Sequence, residues 1–251
     1  MLPGIFANLV DLFGTKGHTI FTGAKMDDSF FCSIAGSRSH GLEVEQSDYD
    51  FLIFSSECKE KYARYECIDS YNVITSSPQR MFHQLYDIPY WATWQWFFPY
   101  EWKSSNEFTD FVRSHQNDFI YKNLPLVRQS YEYKIEITKN SFHGFYEVSQ
   151  KAVAYSFLFL YLLRDLAQGK SPAECIKPTD ELHDFLINVR KGKYEEKYLW
   201  EQFLKLEKEK DKEIKFYSVP RDEEFFRMVK NEIDKYNFLP YEEWKKEYTI
   251  K

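Results

Sequence analysis

The sequence has few cysteines, few glycines and no long apolar run, and each shortage disfavours a class of protein. Its four cysteines among 251 residues include no Cys-x-x-Cys pair, which disfavours a zinc site and is typical of reduced thiols in a cytoplasmic protein. The nine glycines leave little room for flexible linkers. The most apolar stretch, residues 153–163, is about half the length of a membrane helix. The first twelve residues lack the pattern of a secretory signal. We therefore expect a cytoplasmic protein with no membrane partner.

Positive charge is not in excess either, whereas aromatic residues are abundant. The net charge is −6, which disfavours a protein whose whole surface binds nucleic acid but is compatible with a local basic channel. Aromatic residues make up 19% of the chain. Large side chains of this kind can build a thick hydrophobic core.

One short stretch of the sequence specifies chemistry, with GSRSHG at residues 36–41 followed by SDYD at residues 47–50. The apolar run at residues 30–35 predicts a buried strand that ends at Gly36, a residue that tolerates unusual backbone angles. A strand that ends in a turn of small residues presents backbone N–H groups to an anion, as phosphate sites do. Ser37 and Ser39 add hydroxyl groups, and Arg38 adds a fixed positive charge. His40 is expected at the surface, as turn histidines usually are.

Two carboxylates, Asp48 and Asp50, stand at the start of a second apolar segment, residues 51–54. On a strand both would point to the same face, about 6–7 Å apart along the chain. Two such carboxylates without a nearby lysine are costly to keep ionised unless a divalent cation lies between them. Hard oxygen ligands of this kind suit Mg²⁺ or Mn²⁺. The phosphate turn and the metal-binding carboxylates together predict a nucleotidyl-transfer site.

These motifs resemble the signature of the DNA-polymerase-β-like nucleotidyltransferase superfamily, in which Gly-Ser and a spacer precede Asp-x-Asp and apolar residues. The fuller string is similar to a branch of predicted RNA-repair nucleotidyltransferases, which typically read Gly-Ser-Arg-x-x-Gly with Ser-Asp-x-Asp. Looser similarity at residues 77–82, 94–99 and 151–172 extends the resemblance to most of the chain. The resemblance implies an α+β fold, with a nucleotidyltransferase core of mixed sheet and flanking helices at residues 1–124. An all-helical domain follows at residues 125–251.

The resemblance also implies an activity and the residues that perform it. The enzyme would transfer NMP from ATP or another NTP to a hydroxyl acceptor, with an RNA end as the expected acceptor and Mg²⁺ or Mn²⁺ as cofactor. The metal ligands would be Asp48 and Asp50. The nucleotide-binding residues would be Gly36, Ser37, Arg38, Ser39, Lys151 and Arg164. The residues themselves leave an alternative role open for three of these cations. Arg38 could instead be a partner of Asp48, and Lys151 or Arg164 could form an ion pair with Glu147 or Asp165.

A third carboxylate is usual in the superfamily, on a later strand, and its position here is ambiguous. We predict that strand at residues 71–75, where Asn72 stands at or near the expected acid. Asp69 could be the third catalytic acid only in a different register. Gln95 also stands where relatives often carry Glu, and an amide cannot act as a general base at neutral pH. Two alternatives to a transferase acting on RNA follow. The chain could be a catalytically weak or inactive nucleotide-binding module that acts through a partner, or an adenylyltransferase for small molecules or proteins.

The remaining elements are predicted from apolar periodicity and from start and stop signals. The expected helices lie at residues 3–13, 77–86, 90–97, 107–119, 133–163 (as one helix or two), 180–191, 193–215 and 222–235. A loop or an irregular sheet edge is expected at residues 55–66, and a polar, aromatic tail is expected at residues 241–251. The sequence does not specify an oligomeric state.

Overall fold

The structure, a computed structural model, describes residues 29–55, 58, 64–68, 71–86, 107–142, 149–171, 178–210, 220–235 and 241–249. Within these residues the protein is mixed α+β. The predicted helices at residues 3–13 and 90–97, as well as Asp69 and Gln95, lie outside the described residues. The predicted division of the chain at residue 124 stays a prediction.

A four-stranded mixed sheet carries the two motifs. Its strands are β1 (Ser29–Ala35), β2 (Tyr49–Ser55), β3 (Arg64–Ile68) and β4 (Tyr71–Ser76). They lie in the order β1-β2-β4-β3. The central pair, β2 and β4, is parallel, and both outer pairs are antiparallel. The strands predicted at residues 30–35, 51–54 and 71–75 are therefore confirmed.

Strand β3 begins within residues 55–66, the segment predicted as a loop or an irregular sheet edge, and is a regular strand. Among the strands that the structure describes, it lies at one edge of the sheet and pairs with β4 alone. Tyr65 and Cys67 of this strand are exposed. An edge strand needs no continuous apolar run, because only one side of it is hydrogen-bonded and its side chains can face water. For this reason the hydrophobic pattern did not predict a regular strand at these residues.

Nine helices follow within the described residues. They are α1 (Pro78–Tyr86), α2 (Glu107–Ser114), α3 (Gln116–Tyr121), α4 (Leu124–Phe142), α5 (Gln150–Ala167), α6 (Asp180–Arg190), α7 (Glu196–Lys210), α8 (Glu223–Asp234) and α9 (Tyr241–Thr249). Helix α1 begins as predicted, and the Ser77 hydroxyl accepts a hydrogen bond from the backbone N–H of Arg80 at 3.2 Å.

Two helix predictions need correction. The helix predicted at residues 107–119 is broken at His115, whose ring contacts the carbonyl oxygen of Phe111 at 2.8 Å. The segment predicted as a polar tail contains α9, in which Tyr241 and Trp244 are buried. Tyr241 packs edge-on against Phe82 of α1. An apolar pair on adjacent turns is too short a pattern to predict a helix from sequence.

Helix α5 forms the centre of the helical part. Every residue from 153 to 160 is buried, as its apolar sequence predicted. It packs against α4, α6 and α7. Among the described helices, none is both long enough and apolar enough to cross a bilayer. The position of α5 matters for the site because one of its side chains reaches the turn after β1.

Candidate functional site

The glycine-serine motif forms a tight turn directly after β1. Residues Gly36–His40 make a 3₁₀ helix, and Gly36 has a φ of 66° in the left-handed region that favours glycine. The Ser39 hydroxyl donates to the carbonyl oxygen of Gly36 at 2.7 Å, so it stabilises the turn itself. Ser37, Ser39 and His40 are all buried. The prediction of a surface His40 is therefore wrong, because Tyr155 of α5 covers its ring edge-on with centroids 5.9 Å apart.

Gly36 and Asp50 lie directly against each other. The antiparallel pairing of β1 with β2 places Ala35 opposite Asp50, and the chain turns at the next residue. A Cβ added to Gly36 would stand 1.9 Å from the Oδ2 atom of Asp50. Both the backbone angle and this contact require glycine. The structure thus brings the turn predicted to bind phosphate and one of the two predicted metal ligands together.

Asn72 stands beside Asp50 on the neighbouring strand. The parallel register pairs Asp50 with Asn72, and the Asn72 amide donates to Asp50 Oδ1 at 3.0 Å. The position next to Asp50 on β4 is therefore occupied by an amide. In the part of the chain that the structure describes, no group of three or more His, Cys, Asp or Glu residues could hold a metal. Asp69, the other predicted acid, lies outside that part.

Asp48 and Arg38 lie at the entrance to β2. Asp48 precedes the strand and is exposed, whereas Asp50 is its second residue and is half-buried. Arg38 donates to the backbone carbonyl oxygens of Ser47 (3.0 Å) and Asp48 (3.3 Å). Its guanidinium lies 3.6 Å from the centre of the Tyr49 ring. Arg38 is thus a partner of Asp48 through the backbone, and it holds the chain that leads into β2.

Helix α5 reaches the turn through Tyr155. Its hydroxyl donates to the Ser37 hydroxyl at 3.4 Å. Lys151 lies one helical turn before Tyr155, on nearly the same side of α5, and is exposed. Burial, and secondarily the charge of Lys151, lower the pKa of Lys134 on α4. Lys151 is therefore one helical turn from the residue that contacts Ser37, and its charge acts on a second cation, Lys134.

Arg164 lies elsewhere on α5. It follows Tyr155 by nine residues, which puts it about 13–14 Å further along the axis and on the opposite side of the helix. Its guanidinium donates to Asp165 Oδ1 at 2.9 and 2.8 Å. The alternative ion pair with Asp165 is thus formed, and the structure does not bring Arg164 to the turn.

Two side chains of α6 contact the loop between the turn and β2, and sequence reasoning missed both. The His183 ring donates from Nε2 to the carbonyl oxygen of Gly41 at 2.7 Å. Arg190 donates to the carbonyl oxygen of Leu42 and lies 3.5 Å from the Ser47 hydroxyl. More than a hundred residues separate each pair along the chain, so no local pattern could have identified them.

Several groups of the site affect the pKa of the buried Tyr155 hydroxyl. Burial raises the pKa of Tyr155 to about 12, and the nearby carboxylate of Asp50 adds to this effect. The hydrogen bond with Ser37 and the positive charge of Arg190 act in the opposite direction on the same pKa. Ser37 of the turn, Asp50 of β2 and Arg190 of α6 therefore all lie close enough to Tyr155 to affect its pKa.

No protein-family model matches this chain, and no curated protein matches it.

Proposed function

We propose that the chain is a metal-dependent nucleotidyltransferase with a polymerase-β-like core. It would bind an NTP at the Gly36–Asp50 region and transfer NMP to a hydroxyl acceptor, with an RNA end as the favoured acceptor. The observation that carries the proposal is the close approach of Gly36 to the carboxylate of Asp50. A backbone turn suited to phosphate and a carboxylate suited to a cation thus adjoin, as a metal–nucleotide complex requires.

The residues present fit a divalent cation. Asp50 accepts one hydrogen bond from Asn72, but a carboxylate has about four lone-pair sites and can bind a metal as well. Asp48 and Asp50 would hold Mg²⁺ or Mn²⁺, which supplies positive charge to the phosphates when bound. The turn at Gly36 and Ser37 would hold the β and γ phosphates. The backbone hydrogen bonds of Arg38 keep Asp48 next to this turn.

The reaction forms one phosphorus–oxygen bond and breaks another. The acceptor oxygen would bond to the α phosphorus, pyrophosphate would leave with the bridging oxygen, and the hydroxyl proton would pass to a base. The Asn72 amide beside Asp50 cannot accept that proton at neutral pH. This neighbour supports a second candidate function, a nucleotide-binding module that transfers slowly or not at all.

Label transfer distinguishes the candidates. The purified protein is incubated with each α-labelled NTP, Mg²⁺ or Mn²⁺, and a mixed pool of RNA. Parallel reactions offer small hydroxyl compounds and protein acceptors. The double variant Asp48→Ala/Asp50→Ala is compared with Asp110→Ala/Glu201→Ala, which removes two exposed acids from α2 and α7.

Transfer that is lost only in the first double variant would support the enzyme and name its acceptor class. Metal-dependent NTP binding without transfer to any acceptor would favour the binding module. If neither binding nor transfer depends on Asp48 and Asp50, both candidates are wrong.

A further inference from the structure

Helix α6 fixes the loop that joins the phosphate turn to β2. The loop has few backbone hydrogen bonds of its own. The Leu42 N–H donates to the Ser37 carbonyl oxygen at 2.9 Å, and the Ser47 N–H donates to the Val44 carbonyl oxygen at 2.8 Å. The Val44 N–H also donates to the Ser47 hydroxyl at 2.9 Å. Arg190 contacts this loop near both ends, at the Leu42 carbonyl oxygen and the Ser47 hydroxyl.

Arg190 therefore joins two points that the site needs at a fixed separation. Leu42 follows the phosphate turn, and Ser47 precedes the two acids. Leu42 is fully buried. If Arg190 were replaced, the Leu42 carbonyl oxygen would lose a charged hydrogen-bond donor in a place that water reaches poorly. Arg38 holds the Ser47–Asp48 end of the loop by its hydrogen bonds, and its contact with Glu43 is a longer, partly exposed ion pair of 4.0 Å.

We propose that Arg190 is a positioning residue that holds Asp48 and Asp50 at their distance from the Gly36 turn. Its action depends on the forked guanidinium, because two separate nitrogens contact two separate acceptors. A lysine carries a single nitrogen on a flexible stem and cannot reproduce that geometry. His183 is the second anchor of the same loop, through Gly41. The consequence for nucleotide affinity rests on the proposed function, whereas the consequence for the loop does not.

Hydrogen exchange of the ligand-free protein tests the effect on the loop. The variants are Arg190→Gln, Arg190→Lys and, as a matched control, Lys191→Gln, which removes the same charge from an exposed neighbour. Both Arg190 variants should raise amide exchange at residues 42–47 about tenfold, the effect of losing one charged hydrogen bond. Exchange at residues 153–160 of the buried α5 core should stay unchanged, as should every amide in Lys191→Gln.

Affinity for Mg²⁺–ATP, measured on the same proteins, tests the effect on the site. Both Arg190 variants should bind about tenfold more weakly, which corresponds to about 1.4 kcal/mol. If Arg190→Lys behaves as wild type while Arg190→Gln does not, charge rather than the fork is what matters, and the proposal is overturned. Unchanged loop exchange in Arg190→Gln overturns it as well.

Two further outcomes keep the test decisive. If Arg190→Gln also raises exchange in the α5 core, it has lost global stability, and Arg190→Lys then decides. This milder variant keeps the charge and should raise exchange at residues 42–47 with the core intact, and an unchanged loop would contradict the proposal. If wild type binds no nucleotide, the proposed function fails, while the exchange experiment still supports or overturns the positioning role.

Discussion

Replacing Gly36 by alanine should damage the candidate site in two separable ways. Its φ of 66° imposes a left-handed backbone on alanine, at about 1–2 kcal/mol. The new Cβ would also stand 1.9 Å from Asp50 Oδ2, so the carboxylate must move away from Asn72. Losing that charged hydrogen bond costs about 1.5–3 kcal/mol. We expect Gly36→Ala to lower the free energy of unfolding by about 2.5–5 kcal/mol in total.

Gly169 provides the matched control. Its φ is 80°, and a Cβ added there meets nothing within 4 Å. Gly169→Ala should therefore show the backbone strain alone, about 1–2 kcal/mol. Urea denaturation at neutral pH measures both variants, provided that the slope with denaturant is unchanged.

A double-mutant cycle isolates the contact with Asp50. In an Asp50→Ala background the carboxylate is absent, so Gly36→Ala should cost only the strain. The coupling energy between the two positions should be about 1.5–3 kcal/mol. A coupling below about 0.5 kcal/mol is what independent sites give. That result, or equal losses in Gly36→Ala and Gly169→Ala, would refute the close approach of turn and carboxylate.

Three further predictions concern other contacts. Asn72→Asp places a carboxylate beside Asp50, and without metal this substitution should lower the free energy of unfolding by about 1.5–3 kcal/mol. Millimolar Mg²⁺ should raise the melting temperature of Asn72→Asp but not that of Asn72→Ala. Tyr155 has a folded pKa of about 12 against an unfolded value of 10.0, so its contribution to stability is complete below pH 10 and declines by about 1.4 kcal/mol per pH unit between the two values. Burial also raises the pKa of Tyr131 and of Tyr161, so some loss of stability between pH 9 and pH 11 is expected in any variant that keeps them. That loss should be greater in wild type than in Tyr155→Phe by about 1.4 kcal/mol, and equal losses in denaturation experiments would contradict the prediction. The buried Ser156 hydroxyl donates to the Thr138 hydroxyl at 2.6 Å, so Ser156→Ala should lower the free energy of unfolding by about 1–3 kcal/mol. The double variant with Thr138→Val should lose less than the sum of the two single variants, and strictly additive losses in urea denaturation would exclude a coupling between the two hydroxyls.

Local sequence patterns were sufficient for the elements that carry the motif. Apolar runs predicted β1 and β2, and the residue that must be glycine stands where the first run ends. The cap at Ser77 and the proline after it predicted the start of α1. In each case the determining forces act within a few residues, so they can be read from the chain itself.

The helical contribution to the site could not be predicted in this way. The resemblance pointed to Arg164, which is paired with Asp165 on the far side of α5. Arg190, His183 and Tyr155 contact the motif instead. Which cation of a helix reaches a distant loop depends on how the helices pack, and helix packing depends on the whole core rather than on spacing along one segment.

The long-range anchors of the loop also have a consequence for biosynthesis. Ser37 and Tyr155 are 118 residues apart, and Leu42 and Arg190 are 148 apart. At about 5–20 residues per second, a ribosome adds the latter stretch in roughly 7–30 s. Until residue 155 is added, the nascent chain contains the glycine turn and both acids but none of the helical anchors, and Arg190 is the last of them to be added. The site would therefore mature only after translation has passed residue 190, with loop closure over these distances slowing its assembly.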